Sequence, residues 1–248
     1  MHFDSKLEAS RLIGWITKWF ENNGNGCPAI LGLSGGKDST VVAALCARAI
    51  GAENVYGVAM PLSEQGLNEA DEIARHLGIN FMTASIGDSV RAIYNSIPFG
   101  VKVSPHAYLN IPPRIRMTTL YAISQSLGGR VVGTTNFSEK FLGYYTRWGD
   151  QAGDVEPLNK LTATEVKKIG YELNLPSKWI EKTPDDGLPG SNPDEVNFGF
   201  SYAALDAYLR NEPHEELTPE VVEAILRRHS QNLFKSVATA YFPTTMFG

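Results

Sequence analysis

The sequence predicts an α/β protein with a parallel sheet, helices on both faces, and a helical C-terminal part. Three observations carry that expectation. Short apolar runs alternate with amphipathic helical stretches over the first half of the chain, and strands alternating with helices build parallel sheets covered on both sides. The apolar run at residues 29–33 passes directly into a glycine-rich turn and then a helix. The last third carries helix caps and no further strand signal.

Each element follows from local chemistry. Residues 4–22 place Leu7, Leu12, Ile13, Ile16, Trp19 and Phe20 at helical spacing, and Asn23, Gly24, Asn25 and Gly26 stop the run. Residues 29–33 form the first strand, followed by a helix opening near Thr40 and running through Ile50. A second strand is expected at 55–60, a second helix at 67–77 with acids early and Arg75 and His76 late, and a third strand at 81–85. Residues 95–113, rich in Pro, Gly and Asn, read as a loop; a helix at 114–127 and a strand at 130–134 continue the alternation. Thr162 and Glu165 make a capping box for a helix to about residue 174. Residues 182–195 read as a loop, and Thr218 with Pro219 caps a helix over 220–228.

The 248 residues carry 22 Lys and Arg against 27 Asp and Glu, a net charge of −5, with 43% hydrophobic and 20% charged residues. That composition suits one globular domain over 1–248 and excludes collagen, coiled coil and disorder. No apolar stretch approaches the roughly 18–20 residues that span a bilayer, and Met1–His2–Phe3 begins no leader-like segment. A cytoplasmic protein without membrane or nucleic-acid partners is expected. Cys27 and Cys46 form no paired motif and read as buried thiols. The histidines at 2, 76, 106, 214 and 229 are scattered, so no nucleophile–base constellation stands out.

The chemistry concentrates at Ser34–Gly35–Gly36–Lys37–Asp38–Ser39, where a strand hands over to a helix. Two glycines let backbone amides face an anion, the serines add hydroxyls, and the helix aims its positive end at the same point. The spacing is neither that of a Walker loop nor of a GxGxxG loop. Asp38 would repel phosphate unless a cation lies between them, which points to Mg²⁺.

This string resembles the pyrophosphate loop of the N-type ATP pyrophosphatases, with an adenine nucleotide alpha hydrolase-like, Rossmann-like fold. Further on, Gly133–Thr134–Thr135–Asn136–Phe137–Ser138–Glu139 and Gly143–Tyr144–Tyr145–Thr146–Arg147–Trp148–Gly149–Asp150 precede Gly153–Asp154–Val155–Glu156–Pro157–Leu158. Together they resemble ammonia-dependent NAD synthetases. The resemblance implies amidation of deamido-NAD by ammonia, with ATP as co-substrate, through an adenylated intermediate, in a homodimer. It implies ATP contacts from Gly32, Leu33, Ser34, Gly35, Gly36, Lys37, Asp38, Ser39, Thr134, Ala163 and Asp185, with Asp38 and Lys37 as catalytic residues. Asp38 and Glu139 match the Mg²⁺ ligands, and Arg114, Arg147, Asp154 and Lys235 the deamido-NAD contacts; Arg116 is an alternative to Arg114. Family relatives that use glutamine carry an additional amidase domain, for which the placement of these motifs leaves no room.

Four positions depart from the family. Ala163 stands where a phosphate-binding lysine is usual, with Lys160 nearby as an alternative. Ala59 replaces an arginine near the adenine, Asp185 replaces a hydroxyl, and Phe234 precedes Lys235 in place of histidine. Two other readings stay open: another amidating or thiolating member of the superfamily, or a degenerate module that binds nucleotide without turnover.

Overall fold

The computed structural model describes residues 3–63, 67–182, 194–237 and 239. The chain runs α1 (Ser5–Gly24), β1 (Ala29–Gly32), α2 (Lys37–Ile50), β2 (Val55–Ala59), α3 (Leu67–Leu77) and β3 (Asn80–Thr83). It continues through α4 (Gly87–Asn95), α5 (Pro105–Leu109), α6 (Ile111–Leu127), β4 (Arg130–Val131), α7 (Phe137–Leu142) and α8 (Ala163–Glu172). The last elements are α9 (Ser177–Ile180), α10 (Asp194–Phe198), α11 (Tyr202–Arg210) and α12 (Pro219–Ser236).

The strands form one parallel sheet in the order β3-β2-β1-β4. Successive side chains of a strand point to opposite faces, and β1 shows the result. Leu31 joins a core with Ile16, Phe20, Val41, Leu45, Ile169 and Trp179. Its neighbour Ile30 packs on the other face with Val58, Val90, Met117 and Leu120. The central strands are thus buried from both sides, as the uninterrupted apolar runs predict. A third cluster, built on Leu142, Phe198, Leu205 and Ile225, holds α7, α11 and α12 against the buried Ala163 at the start of α8.

Several boundaries differ from the sequence expectation for identifiable reasons. Helix α2 opens at Lys37 rather than near Thr40, so Asp38 lies in its first turn. The third strand spans residues 80–83 instead of 81–85. The β4 strand spans residues 130–131 rather than 130–134, and residues 153–155 run alongside its far edge: Asp154 N donates to Val131 O at 2.8 Å and Val132 bridges Val155. The 95–113 segment is no plain loop. It contains α5, capped by Ser104 with Pro105 in its first turn, and the start of α6, whose prolines occupy first-turn positions that need no amide donor. Helices α4 and α7 were not expected, α10 begins at Asp194 inside the expected 182–195 loop, and α12 runs eight residues past 228 to Ser236. The Thr162–Glu165 capping box is present, each side chain meeting the other's amide. Cys46 is buried and Cys27 partly so; neither is in a disulfide. Among the described residues no helix is long and apolar enough to cross a membrane.

Candidate active site

The glycine loop lies at the carboxyl end of β1, between β2 and β4. The sequence of strands reverses direction here, from outward through β2 and β3 to the far side at β4, and ligands of open parallel sheets bind at such a switch point. Leu33 N still pairs with Val58 O at 2.9 Å, so the turn starts from a fixed base. Gly35 then adopts φ +83°, a conformation that costs a residue with a side chain about 1–2 kcal/mol. Ser34 and Ser39 hold the turn to itself. Ser34 Oγ accepts from Gly36 N at 3.2 Å and lies 3.1 Å from Ser39 Oγ, which donates to Gly36 O at 3.1 Å. The amides of Gly35, Lys37, Asp38 and Ser39 meet no acceptor among the described residues. Unpaired amides at a helix start are a ready anion site.

Behind the loop lies a charged cluster. Lys37 is buried, and its ammonium donates to Asp38 Oδ2 at 2.7 Å. Burial works to lower the pKa of Lys37, but the charges of Asp38, Glu139 and Asp206 outweigh it and hold the pKa above its ordinary value. Asn136 is fully buried and links the two expected metal ligands. Its Nδ2 donates to Asp38 Oδ1 at 3.2 Å, and its backbone N donates to Glu139 Oε2 at 3.1 Å. In return Asn136 Oδ1 accepts from Glu139 N at 3.0 Å, which caps α7. Burial, with the Asp38 charge second, pushes Glu139 well above the carboxylate range. Two acids therefore crowd one point beside the free amides. Asp194 closes the cluster, accepting from Tyr202 Oη at 2.9 Å; burial raises its pKa and that of the Tyr202 hydroxyl.

Asn136, Asp194, Asp206 and Tyr202 were absent from the sequence expectation. Asn136 had a readable signal, since Asn-x-x-Glu at 136–139 is a capping pattern. Ala163 is 2% exposed, and the α8 start is already capped: Ala163 N donates to Ser138 Oγ at 2.9 Å and Thr164 N to Asp206 Oδ2 at 2.7 Å. Lys160 places its ammonium over the Phe137 ring, 5.8 Å from the centroid. Gly32 ends β1, Thr134 is partly exposed beyond β4, and Ala59 ends β2 in the core. Asp185 lies outside the described residues.

Three of the expected dinucleotide contacts converge on the turn after α7. Arg114 Nε donates to Arg147 O at 3.3 Å, and the Arg147 guanidinium stacks over Trp148 at 4.9 Å. Lys235 Nζ donates to Gly143 O at 2.7 Å and Tyr145 O at 3.2 Å, so it braces that turn from α12. Trp148, Thr118, Tyr121, Gln125 and Ala152 line a shallow pocket of ≈ 510 Å³. At its Tyr121 end Asp154 accepts from Tyr121 Oη at 3.2 Å and from Val131 N at 2.8 Å. Arg116, the alternative, donates instead to Met60 O at 3.1 Å.

Fold and site together define an α/β protein with an anion-accepting glycine loop at the carboxyl edge of a parallel sheet. Residues 8–239 match the family model described as NAD synthase, and the chain belongs to that family. It is 40% identical over 185 residues to an NH(3)-dependent NAD(+) synthetase of Methanoregula boonei, covering 73% of this chain and 74% of the relative. A protein of the same name from Carboxydothermus hydrogenoformans is 35% identical over 240 residues, 95% of this chain and 96% of the relative. Among solved structures, an NMN synthetase from Francisella tularensis superposes with a TM-score of 0.87 at 28% identity, covering 98% and 99% of the two chains.

Proposed function

We propose that this chain amidates deamido-NAD with ammonia at the expense of ATP, giving NAD, AMP and pyrophosphate. The observation that carries this reading is the meeting of free loop amides with Asp38 and Glu139, tied together by Asn136. Mg²⁺ is usually held by one or two carboxylates with phosphate oxygens and water completing its shell. Asp38 and Glu139 fit that demand, whereas no group of three metal-ligating side chains occurs among the described residues. They would hold Mg²⁺, which supplies charge neutralisation on the phosphate chain.

A nicotinate carboxylate is a poor electrophile and needs a leaving group. Its oxygen attacks the α-phosphorus of ATP, the bond to the β-phosphate oxygen breaks, and a mixed anhydride with AMP forms. The amides of Gly35, Lys37, Asp38 and Ser39 face the departing pyrophosphate and stabilise its charge without reorganising. Lys37 holds the Asp38 carboxylate in place. Gly32, Leu33, Thr134 and Asp185 complete the ATP contacts of this reading, whereas Ala163, also named from the sequence, is buried with its amide donating to Ser138 Oγ. Arg114 and Arg147, braced by Lys235, with Asp154 across the pocket, orient the dinucleotide. Ammonia then attacks the activated carbonyl, loses a proton, and AMP departs. No side-chain nucleophile is required.

A second copy of the chain completes the proposed assembly. The edge-to-face pair Tyr94 and Tyr108, with Ile93, leaves an exposed apolar surface beside α6 that suits a homodimer. A cytoplasmic location goes with ATP as co-substrate.

The test is purified protein with ATP, Mg²⁺, ammonium and deamido-NAD, followed for NAD and AMP. Formation of ADP in place of AMP would sink the reading, as would tight ATP binding without NAD. The Francisella neighbour motivates a parallel reaction with nicotinate mononucleotide; deamido-NAD is expected to show the higher kcat/KM, and the reverse order would replace the dinucleotide with the mononucleotide as substrate.

A further inference from the structure

A carboxylate stands over the phosphate loop. A Cβ placed on Gly35 would lie 3.0 Å from Glu69 Oε2, so this side chain from α3 occupies the space directly above the left-handed turn. The same oxygen, Oε2, accepts from Lys182 Nζ. The lysine follows α9, whose end is fixed by Glu181: its carboxylate accepts from Lys167 Nζ at 2.7 Å and from Tyr171 Oη at 2.5 Å. Lys182 is therefore held beside the free amides by an anion that the protein itself provides.

The phosphates of ATP bring several negative charges to a place with few side-chain cations. The Lys37 ammonium is committed to Asp38, Ala163 is buried and uncharged, and the α8 start has its amides capped. On the basis of the proposed function, we propose that Lys182 is a phosphate-binding residue of the ATP site. Glu69 holds its ammonium in position until the β- and γ-phosphates replace the carboxylate. The exchange needs no new charge at the loop: one anion leaves the lysine as another arrives. Both side chains keep about a third of their surface exposed, so the pair can open without unpacking the core.

A purely structural reading is that Lys182–Glu69 merely clasps α9 to α3, as Lys178–Glu72 does one step further along the same two elements. The two readings predict different signs. Pyrophosphate and MgATP binding is measured by calorimetry on the full chain, with circular dichroism confirming the fold. Lys182→Ala is expected to weaken both ligands about ten- to a hundredfold, the range of one charge-assisted hydrogen bond, and to raise KM for ATP while leaving KM for ammonium unchanged. Lys182→Arg restores most of the affinity. Glu69→Gln tightens pyrophosphate binding about two- to fivefold by removing the competing charge. Lys178→Ala leaves both affinities at the wild-type value. The proposal is overturned if Lys182→Ala binds pyrophosphate like wild type, or if Glu69→Gln or Lys178→Ala weakens binding as Lys182→Ala does. Failure of the wild type to make NAD counts against the proposed function alone, because the binding measurements need no turnover.

Discussion

Replacing Asn136 with alanine removes two bonds at once, and the two have different consequences. The lost side-chain oxygen was the cap of α7, and losing a cap costs about 0.5–2 kcal/mol. The lost amide donated to Asp38 from a fully buried position, and a hydrogen bond to a charged group contributes about 1.5–3 kcal/mol. Together a loss of about 2–5 kcal/mol is expected, which in a chain of this size lowers Tm by roughly 4–20 °C. Asn136→Ser separates the effects, because serine keeps the cap but is too short to reach Asp38. Differential scanning calorimetry should place the serine variant between wild type and alanine. At a temperature where all three are folded, both variants should show a raised KM for ATP, since Asp38 is unoriented in each. Equal destabilisation by serine and alanine would refute the capping assignment, and an unchanged KM for ATP in Asn136→Ala would refute the link to Asp38.

Other substitutions probe separate steps. Gly35→Ala forces a Cβ into a φ of +83° and to within 3.0 Å of Glu69; steady-state kinetics should show KM for ATP raised about tenfold or more, given the 1–2 kcal/mol backbone penalty. Gly87→Ala sets its Cβ 2.2 Å from the Leu62 carbonyl oxygen. Urea unfolding should show a loss of about 2–4 kcal/mol from this overpacking, with an ATP KM close to wild type in the folded fraction. Burial pushes the Cys46 thiol up to about 12 and raises that of Cys27. At pH 8 a thiol reagent should therefore modify Cys27 slowly and Cys46 only after denaturant is added; fast reaction of both in the native protein would contradict the burial.

What the sequence makes legible is the chemistry that is local along the chain. The loop from Ser34 to Ser39, the caps at Thr162 and Thr218, and the alternation of βα units each depend on neighbouring residues, and all are present. Helix α7 escaped because six residues are too few for a helical period, although its Asn136–Glu139 box was in view. The prolines at 112 and 113 suggested a loop where they in fact begin α6. Long-range partners could not be read at all. Asn136 meets Asp38 across 98 positions and Lys182 meets Glu69 across 113, and nothing in the intervening sequence encodes either meeting. The departure at Ala163 was readable; its burial beneath Ser138 and Asp206 was not.

The sheet order has a consequence for how the molecule coheres. Strand β4 is registered with β1 through the pairs Ala29–Arg130 and Ile30–Val131, so within the sheet the β1–β3 half and the part of the chain beyond β4 meet along a short ladder, beside the core that Leu31 shares with Ile169 and Trp179. The loop after β1 contributes Asp38 and the turn after β4 contributes Asn136 and Glu139, one set on each side of that join. A nucleotide lying in the site spans the join and acts as an adhesive across it. Its arrival should slow hydrogen exchange at Val131 and Val132, amides that bond to groups on either side of β4 and touch no phosphate themselves.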